Sequence, residues 1–227
     1  MTKPLFVLYE DNHCLAVDKP AGQLTMGDNS GDPTLVDSVR EYLREKYQKP
    51  GNVFVGVVHR LDRPVSGVVL LARTSKGASR LSEQFRVHSI EKTYLALVEG
   101  TVATRHGELH DRLIKDRDRN VVSVVHDRES GQECVLSFER LERLGRFTLL
   151  EIRPQTGRSH QIRVQLASRG WPIVGDRKYG SKTFVEGMIA LHASSLTFAH
   201  PTTKEPMTVA SPIPADWRRL DTARSDE

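Results

Sequence analysis

The chain lacks what several common functions require. Its 227 residues hold only two cysteines, Cys14 and Cys134, and neither lies in a Cys-x-x-Cys spacing. That argues against a cysteine zinc site, a dithiol redox motif and a disulfide framework, and both thiols are expected to be buried and reduced. The longest apolar run, Val65 to Ala72, is interrupted by Ser66 and Gly67 and falls far short of the roughly 20 residues that span a bilayer. Neither a small-residue cleavage site nor an Arg/Ser-rich leader follows Met1, so the expected location is the cytoplasm. Gly-x-x-x-x-Gly-Lys-Ser/Thr, strand-linked Gly-x-Gly-x-x-Gly and Gly-x-Ser-x-Gly motifs are all missing, which removes support for nucleotide cofactors and for the simplest serine hydrolase. His59, His88, His110, His160, His192 and His200 make no ligand pair with one another at metal spacing. No metal and no cofactor are expected.

What is present is an ordinary globular balance, 38% hydrophobic and 27% charged, with a mild net charge of +4. The distribution of that charge says more than its sum. Between Glu151 and Lys182 stand Arg153, Arg158, Arg163, Arg169, Arg177, Lys178 and Lys182 against Glu151 and Asp176 only. Seven minus two exceeds the excess of the whole chain, and such a stretch suits a polyanion.

Periodicity predicts an opening hairpin from Phe6–Tyr9 and Cys14–Val17. A helix should start after Asp32-Pro33-Thr34, bury Leu35 and Val39, and end before Pro50-Gly51. Val53–Val58 and Gly67–Arg73 read as central strands around a loop, with a helix from Thr74-Ser75 to Arg86 and a strand over Lys92–Val98. Asp111–Asp127 reads as a charged surface excursion around a short strand, followed by a hairpin of Cys134–Leu141 and Phe147–Ile152. A helix over about Arg158–Ser168 with Ile162 and Leu166 inward, and a late strand over Ala190–Ala199, complete the pattern. No linker divides the chain, so one catalytic domain over residues 1–214 is expected, with a polar tail over 215–227 that frays.

The chemistry concentrates in Val57-Val58-His59-Arg60-Leu61-Asp62-Arg63-Pro64-Val65-Ser66-Gly67, where one carboxylate stands between two arginines on a loop bracketed by apolar strands. Neighbouring guanidinium charge favours an ionised carboxylate in a partly dry setting, a nucleophile or base in waiting. For a single Arg-Asp pair, a structural ion pair of Asp62 with Arg60 or Arg63 is the commoner reading, but the length of the string shifts that balance. Tyr94 alone would be a core aromatic, and Arg163 alone a surface helix residue. Beside Ile162, however, Arg163 is placed to turn inward onto a buried carboxylate.

Taken together, His59-Arg60-Leu61-Asp62 with Ser66-Gly67, Lys92-Thr93-Tyr94-Leu95-Ala96 and Arg153-Pro154-Gln155-Thr156-Gly157-Arg158-Ser159-His160-Gln161-Ile162-Arg163-Val164 resemble the three motifs of the RluA-type RNA pseudouridine synthases, with Gly175-Asp176 and Tyr179-Gly180 close behind. The resemblance covers nearly the whole chain. It implies an α+β fold with a mixed, largely antiparallel sheet, flanking helices and a central basic cleft crossed by the Asp62 loop. It further implies an isomerase that breaks the N1–C1′ bond of a uridine in ribosomal or transfer RNA, turns the base and rejoins it through C5. On that reading Asp62 is the essential carboxylate, acting at C1′, as base at C2′, or at C6. Tyr94 stacks on the uracil, and Arg163 pairs with Asp62. Arg60 fills the space the extruded base vacates.

His59, Arg63, Arg153, Arg158, His160, Gln161, Arg169, Arg177 and Lys178 would meet the RNA, and the enzyme would work as a monomer. Pro64, Val65, Ser159 and Gln165 depart from the family's commoner residues, which bears on substrate choice. An N-terminal S4 domain, frequent in the family, has no counterpart here, so target recognition is expected from the core or from another protein. A catalytically inactive RNA-binding module on the same scaffold, and a glycosylase that releases the base to water, are the alternatives.

Overall fold

The computed structural model describes residues 5–28, 30–127, 130–215 and 217. Contacts divide the chain into two compact units, residues 1–91 with 193–212, and residues 92–192 with 213–227. The first unit is discontinuous in sequence, which is why no linker marks the division. Both units are built on antiparallel ladders, so the α+β, largely antiparallel expectation is met. No helix among the described residues is long and apolar enough to cross a membrane.

In the first unit β1 (Phe6–Glu10) and β2 (Cys14–Lys19) form the expected hairpin, and β2 pairs along β4 (Ser66–Ala72). Every residue of β4 is buried, which fits the continuous apolar run Val68–Ala72 rather than an alternating one. β10 (Leu191–Ala199), whose last seven residues belong to this unit, pairs with β11 (Pro206–Ala210) and lies beside β4. The predicted strand over Val53–Val58 shrinks to β3 (Gly56–Val57), which pairs only with Ala72 and Leu71. β2 takes one edge of β4, and β10 shares the other, so two residues are all that edge leaves for β3.

Helix α1 (Leu35–Tyr47) starts at a capping box in which Thr34 and Asp37 satisfy each other's backbone amides, and it buries Leu35, Val36, Val39 and Leu43. Helix α2 (Ser75–Arg86) is capped by Thr74 and packs Leu81 among Cys14, Ala16, Leu70, Leu196 and Phe198. Truncating any of these fully buried leucines costs about 2–5 kcal/mol.

The second unit orders its strands β5-β9-β8-β6-β7: β5 (Glu91–Glu99), β9 (Phe147–Pro154), β8 (Gln132–Leu144), β6 (His106–Asp116) and β7 (Val121–Val125). The segment read as a charged excursion is a regular hairpin. Charged residues fill its outward positions while Leu109, Leu113 and Val122 are buried, and the Asp116 carboxylate accepts from the amides of Asp118 and Arg119 to close the turn. The β8–β9 hairpin is tighter than expected, since Leu144 pairs with Phe147 across Gly145-Arg146, with Gly145 at φ 57°. Helix α3 spans Gln161–Ala167, shorter at its start than predicted, because residues before it form a turn and His160 takes φ 52°. Of the expected polar tail, 216 and 218–227 lie outside the described residues, whereas Trp217 is buried and meets His192 edge to face.

Glu10 ties α1 to the first unit's sheet. Its carboxylate accepts from Tyr42 (2.7 Å), Lys46 (2.7 Å), Tyr47 (2.6 Å) and Arg73 (3.0 Å). Burial works to raise its pKa, but the bonds from Lys46, Tyr47 and Tyr42 outweigh it and leave the group at about 2, below the ordinary 4.5. A depressed folded-state pKa contributes stability that is present above 4.5 and lost as pH falls toward 2. Urea titrations should therefore show stability declining over that window, and Glu10→Gln should lower stability at pH 7 and flatten the decline.

Candidate active site

In the first unit Asp62 is half-buried on the segment between β3 and β4. The backbone around it is pinned residue by residue. Thr25 Oγ1 donates to the Leu61 carbonyl at 2.9 Å and accepts the Leu61 amide at 3.2 Å. The Asp62 carbonyl accepts from the Val65 amide at 3.1 Å, and the Arg63 carbonyl from the Gly22 amide at 2.8 Å. Lys19, fully buried, donates from Nζ to the carbonyls of Pro20 (3.0 Å), Gln23 (2.8 Å) and Arg63 (3.2 Å). The sequence reading missed Thr25 and Lys19 as supports. The available signal was a lysine ending an apolar strand just before Pro20-Ala21-Gly22.

The arginines beside Asp62 do not clamp it, which corrects the expectation drawn from their adjacency. Arg63 pairs with Asp32 at 2.7 Å and donates from Nε to the Gly22 carbonyl. Arg60 is exposed, with no hydrogen-bond partner among the described residues. The structural ion pair of Asp62 with either neighbour fails on the same ground. His59 serves the framework: its Nε2 accepts the Leu70 amide at 2.8 Å just beyond β3, and its ring stacks on Phe85 at 4.6 Å. Gly67, at φ 113°, lies against β10, where an added Cβ would fall 2.3 Å from the Ala193 carbonyl oxygen. Close strand approach explains the Ser66-Gly67 pair.

In the second unit Tyr94 is half-buried on β5 opposite Ile152. Lys92 precedes it by two residues on the same strand face, where burial pushes its pKa below the usual lysine value. Arg163 is turned inward on α3, as its place beside Ile162 suggested. The carboxylate that its Nε (2.7 Å) and NH2 (2.9 Å) reach is Asp176, an ion pair in which both side chains are buried. The guanidinium also lies 5.1 Å from the Tyr179 ring centroid, and the Tyr179 hydroxyl accepts the Val122 amide at 3.0 Å and meets His160 Nδ1 at 2.7 Å. Planar Arg163 is thus fixed on an edge and a face at once.

The residues expected to meet RNA divide. Gln161 is buried, its Oε1 accepting from Thr156 and Arg158 and its Nε2 donating to Val135, so it builds the turn instead of facing a ligand. His160 holds the left-handed residue at the helix start. Arg153 pairs with Glu151 and Arg169 with Asp111. Arg158, Arg177 and Lys178 are exposed and meet no carboxylate among the described residues; Lys178 donates to the Asn120 carbonyl at 3.1 Å.

Two side-chain groups have the composition of metal ligands. Asp11, Cys14 and His200 lie within 4.8 Å of one another. His200 Nδ1 accepts from Thr203, so Nε2 carries the proton and donates to Asp11 at 2.8 Å, while burial pushes the Cys14 thiol up to about 12. The group is a satisfied hydrogen-bond knot that holds the β1–β2 turn. His106 and His110 do carry the His-x-x-x-His spacing, but on strand β6, where four residues span roughly 13 Å and the two rings cannot share an ion.

With this geometry in view, a family model described as RNA pseudouridylate synthase matches residues 13–168. The chain is 38% identical over 245 aligned residues to the ribosomal large subunit pseudouridine synthase D of Xanthomonas campestris, covering 99% of this chain and 70% of that protein. It is 32% identical to the tRNA pseudouridine synthase C of Pectobacterium carotovorum, covering 96% of this chain and 61% of that protein. Among solved structures, human RNA pseudouridylate synthase domain containing 4 superposes with a TM-score of 0.78 at 21% identity, covering 95% of this chain and 91% of that one, a likeness of fold.

The Asp62 loop's supports are separable by substitution. Gly67→Ala should destabilise by about 2–4 kcal/mol, since it adds a backbone clash to a strained φ. Gly100→Ala, at φ 83° with open space around it, should cost about 1–2 kcal/mol. Denaturant midpoints of the two variants check the difference.

Proposed function

The chain belongs to the RNA pseudouridylate synthase family and isomerises uridine to pseudouridine in RNA, and we propose that Asp62 is the carboxylate that acts on the target nucleotide. The observation that carries this assignment is the pinned loop. Thr25, Lys19 and Gly22 fix the backbone at Leu61 and Arg63, so the Asp62 side chain is presented from a rigid base, with neither neighbouring arginine drawn onto it. A carboxylate held that way loses little entropy on reaching its target.

The reaction conserves every atom of the nucleotide. The N1–C1′ bond breaks, the uracil turns, C5 bonds to C1′, the C5 proton leaves and N1 gains one. The proposed acid–base and nucleophilic work falls to side chains: Asp62 at the sugar or at ring C6, and the Tyr94 ring against the uracil face, with its hydroxyl available for the C5 proton. Extruding the uridine costs a few kcal/mol of stacking, and Arg60, exposed and with no partner among the described residues, is suited to fill the gap. Arg163, held by Asp176, is proposed as a further fixed charge for the target nucleotide. The proposed substrates are structured ribosomal or transfer RNA, the two classes in the names of the relatives. The unmatched cations Arg158, Arg177 and Lys178 would grip its phosphates without reading bases.

Asp62→Asn should abolish pseudouridine formation, by roughly 1000-fold or more, equivalent to about 4 kcal/mol of barrier, while RNA affinity and thermal midpoint stay close to wild type. Carbodiimide mapping of treated ribosomal and transfer RNA measures it, and substantial residual turnover would reject the assignment. Tyr94→Phe keeps the stacking face and removes the hydroxyl. A fall in turnover with unchanged affinity assigns the hydroxyl to proton transfer, and unchanged turnover confines Tyr94 to packing on the base.

A further inference from the structure

The segment after the 3-10 turn Arg177–Tyr179 is held by a device that the reaction does not use. Glu99, at the end of β5, accepts from Ser181 Oγ (2.7 Å), the Lys182 amide (3.0 Å) and the Thr183 amide (2.8 Å). Ser181 Oγ also accepts the Gly175 amide at 3.0 Å, and the Ser181 amide donates to the Asp176 carbonyl at 3.1 Å. Gly175 lets the returning chain lie close, since a Cβ there would stand 2.8 Å from the Met188 carbonyl oxygen.

One carboxylate thus fixes three consecutive residues. Ser181 and Thr183 are buried in the latch, and the residues alternating with them, Lys182 and Phe184, are thrown outward. Phe184 is 55% exposed, an unusual position for a phenylalanine in a segment this well anchored. Lys182 forms no ion pair among the described residues, and neither do Arg177 and Lys178 on the adjoining turn.

We propose that the Glu99-latched segment 181–184 is a docking element for substrate RNA, in which Phe184 stacks on an unpaired base and Lys182 meets a neighbouring phosphate. The proposal rests on the functional reading above and adds a contact outside its motifs. An exposed aromatic among unmatched cations fits single-stranded nucleic acid, because the ring face accepts any base and the cations follow the backbone. A rigid presentation matters, since stacking gains little if the ring must first be ordered.

The test measures binding of total ribosomal RNA and total transfer RNA to the full chain. Phe184→Ala should weaken the better-bound RNA by about tenfold to a hundredfold, and Phe184→Trp should bind within about threefold of wild type. Fluorescence of the Phe184→Trp protein should be quenched on binding beyond any quenching of Trp171 and Trp217 in wild type. Lys182→Ala should flatten the dependence of log affinity on log salt by somewhat under one unit. Glu99→Gln should weaken binding with Phe184 still present, by loosening the latch.

Affinity of Phe184→Ala within twofold of wild type for both RNAs would overturn the proposal. So would a tryptophan signal indifferent to RNA, or a Phe184-dependent dimer in sedimentation. If wild type forms pseudouridine and Phe184→Ala binds normally, only this inference falls. A wild type that forms none overturns the functional reading itself.

Discussion

The buried Lys19 ammonium is the constraint on which the Asp62 loop depends. Taking a charge this far from water costs several kcal/mol, and the carbonyls of Pro20, Gln23 and Arg63 help offset that cost by converging on one nitrogen. The loop after β2 and the loop before β4 are therefore ordered together. Gly22 and Thr25 add neutral bonds to the same junction, from the Gly22 amide to Arg63 and from the Thr25 hydroxyl to Leu61. A loop with this many fixed carbonyls has few conformations left, and the orientation of one carboxylate becomes a property of the sheet beneath it.

The second unit solves the same problem with an ion pair. Arg163 and Asp176 are both buried, and each would be costly alone, but the bidentate geometry and the Tyr179 ring leave the guanidinium one orientation. The turn that carries Asp176 continues into the segment latched by Glu99, so a charged pair at one end and a carboxylate at the other brace the same stretch. Helix α3 is only seven residues long and has no side-chain cap at its start; it is held by what surrounds it.

Charge on this chain does two kinds of work. Arg73 and Arg163 are spent inside the fold on Glu10 and Asp176, and Arg63 is spent at the surface on Asp32. Among the described residues Arg60, Arg158, Arg177, Lys178 and Lys182 meet no carboxylate, and cations of this kind suit a polyanionic partner. A count of basic residues cannot separate the two groups, because separation depends on which carboxylate folds against which cation.

Local signals were enough for the elements whose causes are local. The Asp32-Pro33-Thr34 start signal, the Thr74-Ser75 cap, the apolar run Val68–Ala72 and the family motifs around Asp62, Tyr94 and Arg163 can all be read from consecutive residues, and they predicted α1, α2, the central strand and the reaction class. Tertiary structure decided the rest. It cut β3 to two residues because β10 needed the same edge, and gave Arg63 to Asp32 despite its adjacency to Asp62. It gave Arg163 a carboxylate thirteen positions away, and separated His106 from His110 by laying them along a strand. Sequence order determines which groups are available and how each segment repeats. Where a side chain points, and what neutralises it, follows from segments distant in the chain meeting in space, a choice made by burial and hydrogen-bond satisfaction over the whole unit.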